Sequence, residues 1–571
     1  MTKNTLLKRS LWIFLFITIA FPGCKKENND PTTDAPIVSL SNNQASEIPG
    51  NNVGTTVSIN ASAGLQKLVI YKNGAIYNEV SYNFETIASY NFSYQIEENL
   101  TAGTVINFAF EAVDSLNVKS EQKTFAVTVN EITQREIVDV IADITGNTTW
   151  TANKIWKINN IVKVTNGNIL TIEPGTLIVG DFETKGTLLV ERGGKLIADG
   201  TASSPIIFSS EKPVGNRSAG DWSGIVICGK APVNQGNLIT LEGNYGAIYG
   251  GSEETDNSGI LRYVRIEFAG RVINNNQEIN SLTLAGVGSG TIIEYVQCAY
   301  GLDDSFEFFG GTVNAKYLVS FKTKDDDIDL DFGHSGKIQF ALAIRGAEIA
   351  DASYSNGIEA DNDGFGTNGS PITQTVFSNI SIIGAKYQKD GVINALLQNA
   401  IHFRKNCMPT IYNSFITGFP VGIFLDDTKA GVSQHALNEE LQIRNVILAG
   451  VENWGNNNWG GSDGNEYGPL RQYDPNVAAG FNIDNWFATA LYNNQIKDKW
   501  QDAGIDGSIY ISLNPKLTPN AGSLLLNSAK WDNTPNSTDP FFEKVSFAGA
   551  FGNEDWTTGW CNWDPQNVIY Q

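Results

Sequence analysis

Histidine, methionine and cysteine are scarce in this chain: 3, 2 and 5 residues among 571. Three histidines (His334, His402 and His435) argue against a multi-histidine metal centre and against a histidine-based nucleophile triad. No CxxC pair occurs, so neither a zinc knuckle nor a dithiol redox motif is supported. Positive charge is also short. Lys and Arg total 39 against 61 Asp and Glu, a formal charge of −22. Phosphates would be repelled, which excludes a nucleic-acid partner. No apolar run reaches the ~20 residues of a membrane-spanning helix. What is abundant is glycine, at 56 residues, with no collagen-like period. With 41% hydrophobic and 18% charged residues, the composition is that of a folded, turn-rich β protein.

The longest apolar run, Leu11 to Phe21, follows Lys3, Lys8 and Arg9. A positive stretch before a short apolar segment is the pattern of a secretory signal, to be set aside from fold reasoning. The run ends at Phe21-Pro22-Gly23-Cys24. A small residue before Cys resembles the bacterial lipobox, with Phe21 and Pro22 departing from it. The resemblance implies cleavage after residue 23 and lipidation of Cys24, whose acyl chains would hold the protein to the outer membrane. An ordinary signal with a chance Cys is the alternative. Lys25-Lys26-Glu27-Asn28-Asn29-Asp30 opens a polar tether over 24–34. It resembles the charged signal that sends lipoproteins of the Bacteroidetes to the outer face of that membrane. Cys228 and Cys298 sit in apolar runs, where a thiol serves as a small hydrophobe.

Residues 35–132 contain short apolar or alternating runs, among them Ile37–Leu40, Leu68–Tyr71, Ile106–Val113 and Phe125–Val129. Asn73-Gly74 between two of them is a type I′ hairpin signal. This spacing predicts a small immunoglobulin-like β-sandwich. From 143 to 571 the texture changes. Leu170-Thr171-Ile172-Glu173-Pro174-Gly175 and Leu188-Leu189-Val190-Glu191-Arg192-Gly193 look equivalent. Tyr263-Val264, Tyr295-Val296 and Tyr317-Leu318 recur, as do Phe377-Ser378-Asn379-Ile380, Ile411-Tyr412-Asn413-Ser414 and Ile443-Arg444-Asn445-Val446. Repeats of roughly 20 residues that cannot bury an apolar face alone predict stacked coils. The expected fold is all-β: a right-handed parallel β-helix preceded by the sandwich.

With those repeats, the stretches LTIEPGTLIVGD, GDWSGIVICGKAPVN, DDSFEFFGGTVNAKYLVSF and DDDIDLDFGHSGKIQF resemble a family of β-helix lipoproteins and secreted proteins of the Bacteroidetes, of unassigned function and with a pectate-lyase-like superfold. The resemblance implies a surface scaffold. Its superfold also hosts calcium-dependent polysaccharide lyases, so fold analogy leaves activity open.

The most chemical region runs from Asp303 to Asp363. Alternation puts Ile328 and Leu330 on one face and Asp327, Asp329 and Asp331 on the other. Phe306 is expected to stack on Ile328, and Glu307 on Asp329. Carboxylates one coil spacing apart, ~4.8 Å, repel unless neutralised. Asp304, Glu307, Asp327, Asp329, Glu359 and Asp361 are therefore the candidate ligands of a Ca²⁺ ion. A solvated or ion-paired acidic face is the alternative. A lyase would also need a Lys or Arg base, for which Lys322, Lys324, Arg345 and Arg404 are the nearby choices, none in a recognisable motif. A two-carboxylate glycosidase is weaker, since no carboxylate pair stands out. His402 reads as a hydrogen-bonding residue at a coil corner, and His334 as a turn residue.

Beyond residue 451 tryptophan is frequent. Trp454 and Trp459 on a polar Asn/Gly loop are candidate sugar-stacking residues. Trp556, Trp560 and Trp563 read as a cap over the open end of the solenoid. The first reading is a non-enzymatic, lipid-anchored surface protein binding glycan or an envelope partner such as an outer-membrane transporter. The alternative is a calcium-dependent polysaccharide lyase or other polysaccharide-active enzyme.

Overall fold

The computed structural model describes residues 35–131, 135–241, 246–271, 279–388, 391–451, 468–473, 476–532, 534 and 537–570. Cys24, the tether, Trp454 and Trp459 lie outside the described residues. The chain divides after Glu131 into two compact units. Among the described residues no helix is long and apolar enough to cross a membrane.

The first unit is a two-sheet sandwich. Strands Ile37–Leu40, Asn52–Asn60 and Ile87–Gln95 form one sheet, and five strands including Leu65–Lys72 and Val105–Asp114 form the other. Asn52–Asn60 alternates buried and open positions, as a strand with one covered face must. Val57, Ile59, Phe92, Phe108, Phe110 and Phe125 share the core. The Asn73-Gly74 turn forms as expected, with φ of 51° and 84°. Lys72 pairs with Ala75 across it.

The second unit is a parallel β-helix. One long sheet stacks ten parallel strands, from Ile161–Val164 through Leu282–Ala285, Phe306–Phe309, Ile328–Asp331, Ile358–Ala360, Asn399–Arg404 and Val421–Asp426 to Leu470–Tyr473. A second, 18-stranded sheet supplies the other walls. Side chains of one position stack coil upon coil. Leu282, Phe306, Ile328, Ile358, Ile401 and Ile423 form one inward column. Leu284, Phe308, Leu330, Ala360, Phe403 and Leu425 form the next. All of them are buried, so each coil's apolar stripe is covered by its neighbours'.

The apparent equivalence of Ile172 and Val190 is not the coil repeat. Ile172 pairs with Ala198, and Val190 with Val164 on the other sheet. The two segments look alike because each is a strand running into a glycine-bearing corner, and one coil contains two such corners. Gly175 and Gly193 take φ of 80° and 91° there.

The recurrent Tyr and Asn dipeptides mark a true corner. In the second sheet, strand Gly259–Glu267 pairs with Lys195–Asp199 through its first half and with Ile206–Ser210 through its second. Tyr263 sits at the bend. On successive coils that corner is held by Tyr263, Tyr295, Tyr317, Phe340, Asn379, Asn413 and Asn445, with φ of 50°, 55°, 58°, 60°, 54°, 50° and 56°. Asn accepts the left-handed region readily. A bulky aromatic there is an outlier costing about 1–3 kcal/mol. The aromatic corners recover part of that by stacking. Ring centroids are 4.4 Å apart for Tyr263–Tyr295, 4.2 Å for Tyr295–Tyr317 and 5.0 Å for Tyr317–Phe340.

The C-terminal end of the solenoid is covered by Phe481, Ile483, Trp486, Phe487 and Tyr492, which join the continuous core. Asn482 caps the short helix Ile483–Phe487, its side chain accepting from Asn485 N. Trp556, Trp560 and Trp563 do not cap that end, contrary to the sequence expectation. Residues 541–570 run back along the side of the β-helix as a strap. Asn379 Nδ2 donates to Phe547 O at 2.7 Å. Gln297 exchanges two bonds with the backbone of Asn562. Arg217 donates to Pro565 O and Val568 O. The rings are used sideways: Trp560 meets Tyr263 and Tyr295 edge-on, and Trp563 meets Phe321.

Candidate functional site

The ten-stranded sheet carries one outward column of chemical side chains. Strand register aligns Glu307 with Asp329, Asp329 with Glu359, Glu359 with His402, His402 with Phe424, and Phe424 with Arg471. Glu307 over Asp329, and Phe306 over Ile328, is the pairing expected from alternation. Corner residues add to the column from its side. Asp304 Oδ1 accepts from Asp326 N at 2.8 Å, and Asp326 accepts from Asn356 N.

Three groups of carboxylates result, each with oxygens within 4.8 Å of one another: Asp303, Asp304 and Asp325; Asp304, Glu307 and Asp329; Asp326, Asp329 and Glu359. Shared members make them one continuous acidic wall. Asn280 Nδ2 donates to Glu307 at 3.2 Å, and Asn356 Nδ2 to Glu359 at 3.0 Å.

Burial, and then neighbouring carboxylates, push Asp304, Asp326 and Asp329 well above the usual range. Asp325 rises to about 6, again through burial first. Glu359 goes the other way. Burial would raise it, but Arg404 and His402 outweigh that and hold it below its ordinary value. Adjacent acids on one wall therefore favour opposite protonation states.

The wall's lower end is cationic. Arg404 grips Asp361 through two bonds of 2.7 and 3.0 Å and also pairs with Glu359. Lys405 lies 2.6 Å from Asp361. His402 is no corner residue. It lies within strand Asn399–Arg404, between Glu359 and Asp426 at 3.4 Å from each, and stacks on Phe424. Burial would lower its pKa, but Asp426 and Glu359 raise it. His334 is a turn residue, buried, bonded to Thr375 Oγ1 and Val313 O.

Two of the sequence-predicted ligands do not join the acidic groups. Asp327 precedes the strand, so alternation does not govern it. Its carboxylate turns into the interior, accepting from Ser320 Oγ and lying 3.4 Å from Arg345. Asp361 is neutralised by Arg404 and Lys405. Asp304, Glu307, Asp329 and Glu359 do come together. Asp326, Asp303 and Asp325 complete the wall; their signal was the acidic run beside each strand, unreadable without the corner geometry. None of the candidate bases is a free one at the wall. Lys324 pairs with Asp351 at 3.0 Å, Arg345 with Asp327, and Arg404 with Glu359 and Asp361. Lys322, beyond strand Asn314–Phe321 of the other sheet, lies over the rings of Tyr300 and Phe321. Cys228, Cys298, Cys407 and Cys561 are free thiols.

The coiled, parallel β-helix has a counterpart among known families. The family described as a pectate-lyase like beta helix domain matches residues 142–499. The chain belongs to that family. No curated protein matches it. Among solved structures, the β-helix family member is similar to the catalytic unit of a thermostable GH87 alpha-1,3-glucanase from Streptomyces thermodiastaticus strain HF3-3, at 10% identity and TM-score 0.28, covering 76% of this chain and 90% of that one. A second likeness, to fibronectin(III)-like modules of CbhA from Clostridium thermocellum, has 11% identity and TM-score 0.14, covering 16% of this chain and 97% of that one. Both likenesses are loose, and nothing about activity follows from them.

Proposed function

We propose that this β-helix is a lipid-anchored, outward-facing outer-membrane protein whose acidic wall binds glycan through Ca²⁺. The observation that carries the reading is the register of Glu307, Asp329 and Glu359 on three successive coils, joined by Asp304 and Asp326. Calcium takes roughly 6–8 oxygen ligands, and stacked carboxylates supply oxygens at a spacing that otherwise only repels. A cation held there would offer its remaining positions to the hydroxyls or carboxylate of a saccharide, which the anchored protein could pass to an outer-membrane transporter. Anchoring rests on Cys24.

A second reading, a hydrolase acting on polysaccharide, is favoured by one contrast: burial raises the pKa of Asp329, whereas Arg404 and His402 hold neighbouring Glu359 below its ordinary value. That split is what general acid and base groups need. A lyase is less well supported, because Arg404 and Lys324 are held by carboxylates.

Incubation of the full chain with a panel of polysaccharides, with and without calcium, tests these readings. Calcium-dependent pull-down without new products supports binding. New reducing ends abolished by Asp329→Asn would replace it with hydrolysis, and absorbance from unsaturated uronate would replace it with elimination. An acidic polysaccharide bound equally in calcium and in chelator would refute the bridged face.

A further inference from the structure

A second site lies on the other sheet, where the strap crosses the aromatic corners. Asn379, Asn413 and Asn445 make the same left-handed bend as Tyr263, Tyr295, Tyr317 and Phe340, so the fold does not require rings there. Four successive coils nonetheless carry an aromatic residue in a conformation that disfavours it. Strain of that kind is a pointer to function. Packing against the strap accounts for part of it, since Trp556 meets Tyr295 and Tyr317 edge-on. The strap does not fill the space, however. A cavity of about 500 Å³ remains between it and the corner, within the ~300–1,000 Å³ of small-molecule pockets.

Its walls are of two kinds. Tyr295 and Tyr317, whose faces are taken up by their own stack, supply ring edges, Phe547 and Trp556 supply further aromatic surface, and Glu543 and Glu554 supply carboxylates. Asn553 and Glu554 are exposed at its rim. Glu543 is paired with Lys316 at 2.7 Å, which leaves the Glu554 carboxylate as excess negative charge. An anionic ligand would meet that charge. A cavity of rings with acceptor groups at its edge suits a molecule having apolar C–H faces and many hydroxyl donors.

We propose that this cavity binds a neutral oligosaccharide, its ring faces against the aromatic walls and its hydroxyls donating to Glu554 and to the amide oxygen of Asn553. The site is separate from the acidic wall, uses no cation, and does not rest on the reading of that wall.

Calorimetric titration of the full chain with cellohexaose, laminarihexaose, maltohexaose and xylohexaose tests this, with tetragalacturonate as the acidic probe. At least one neutral hexasaccharide should bind with Kd below about 1 mM, in chelator as well as in calcium. Tetragalacturonate in chelator should not. Asn553→Ala with Glu554→Gln should weaken binding about tenfold at an unchanged melting temperature, both side chains being exposed, and Asp329→Asn should leave it intact. The proposal is overturned if none of the four binds, if the double variant binds as the parent does, or if Asp329→Asn abolishes binding. The last result would assign the sugar to the acidic wall.

Discussion

Removing calcium should loosen the β-helix in a pH-dependent way. Two unit charges within 4.8 Å of one another repel by at least about 3.5 kcal/mol at an effective dielectric of about 20. Burial first, and then this repulsion, raises the pKa of Asp326 and Asp329 beside Glu359. Without a cation, acids raised by folding stabilise the protein fully below their unfolded pKa near 3.8. That contribution is lost as pH rises toward their folded values. Calcium would take the protons' place and restore stability where protonation no longer can. At a hundredfold excess over Kd the gain is about 2.7 kcal/mol. For a unit of about 440 residues, at about 2.1 cal/mol/K per residue, that is a rise in melting temperature of about 3 °C. Scanning calorimetry in millimolar calcium against chelator should show this shift at pH 8 and a smaller one at pH 5. Titration in buffers of different ionisation enthalpy should detect about one to two protons released per ion. Asp329→Asn should shrink the shift without disturbing Ile328 and Leu330, which face the interior. Equal melting curves in calcium and chelator at pH 8, or a shift that Asp329→Asn leaves whole, would refute the reasoning.

Burial holds the pKa of His334 down to about 4, so the folded protein resists a proton that the unfolded chain accepts near 6.5. Stability should fall by up to about 3 kcal/mol between pH 6.5 and 4, and His334→Gln should flatten that part of a melting-temperature profile. Arg345→Met leaves Asp327 buried without its partner and should cost about 3–5 kcal/mol, read from the denaturant midpoint. Adding Asp327→Leu should return much of the loss, and no recovery would mean the pair is not the cause. Cys24→Ala should move the protein from the membrane fraction to the soluble one; unchanged fractionation would end the lipoprotein reading. Deleting residues 25–30 should leave membrane attachment intact but protect the protein from protease added to whole cells.

Local period made the coils legible. Ile328 and Leu330 alternate with Asp329 and Asp331, and one in-register neighbour, Phe306, sets Glu307 on Asp329. Where the chain leaves the strand, alternation fails. Asp325, Asp326 and Asp327 are adjacent in sequence, yet one meets Ser353, one meets Asn356 and one meets Arg345. The corner geometry that separates them leaves no periodic trace. The motif around Ile172 and Val190 misled for a related reason, since a strand–glycine corner recurs twice within a coil. The strap was hidden because its partners are hundreds of residues away. Gln297 and Asn562, or Gln339 and Glu543, are linked by side-chain-to-backbone bonds that no sequence period encodes. Trp556 and Trp560 announced only that something large and apolar needed covering.

The strap also changes how the solenoid comes apart. Coils that touch only adjacent coils unzip from an end under load, one at a time. Here residues 541–570 lie across many earlier coils, from Asn413 at Gly549 to Glu267 at Tyr570. During synthesis the coils can stack as they emerge, but this latch closes only after residues 541–570 arrive. Thereafter, peeling a coil between Glu267 and Asn413 means breaking the latch as well. A nick between residues 541 and 570 would turn a jointly held rod back into a stack that frays.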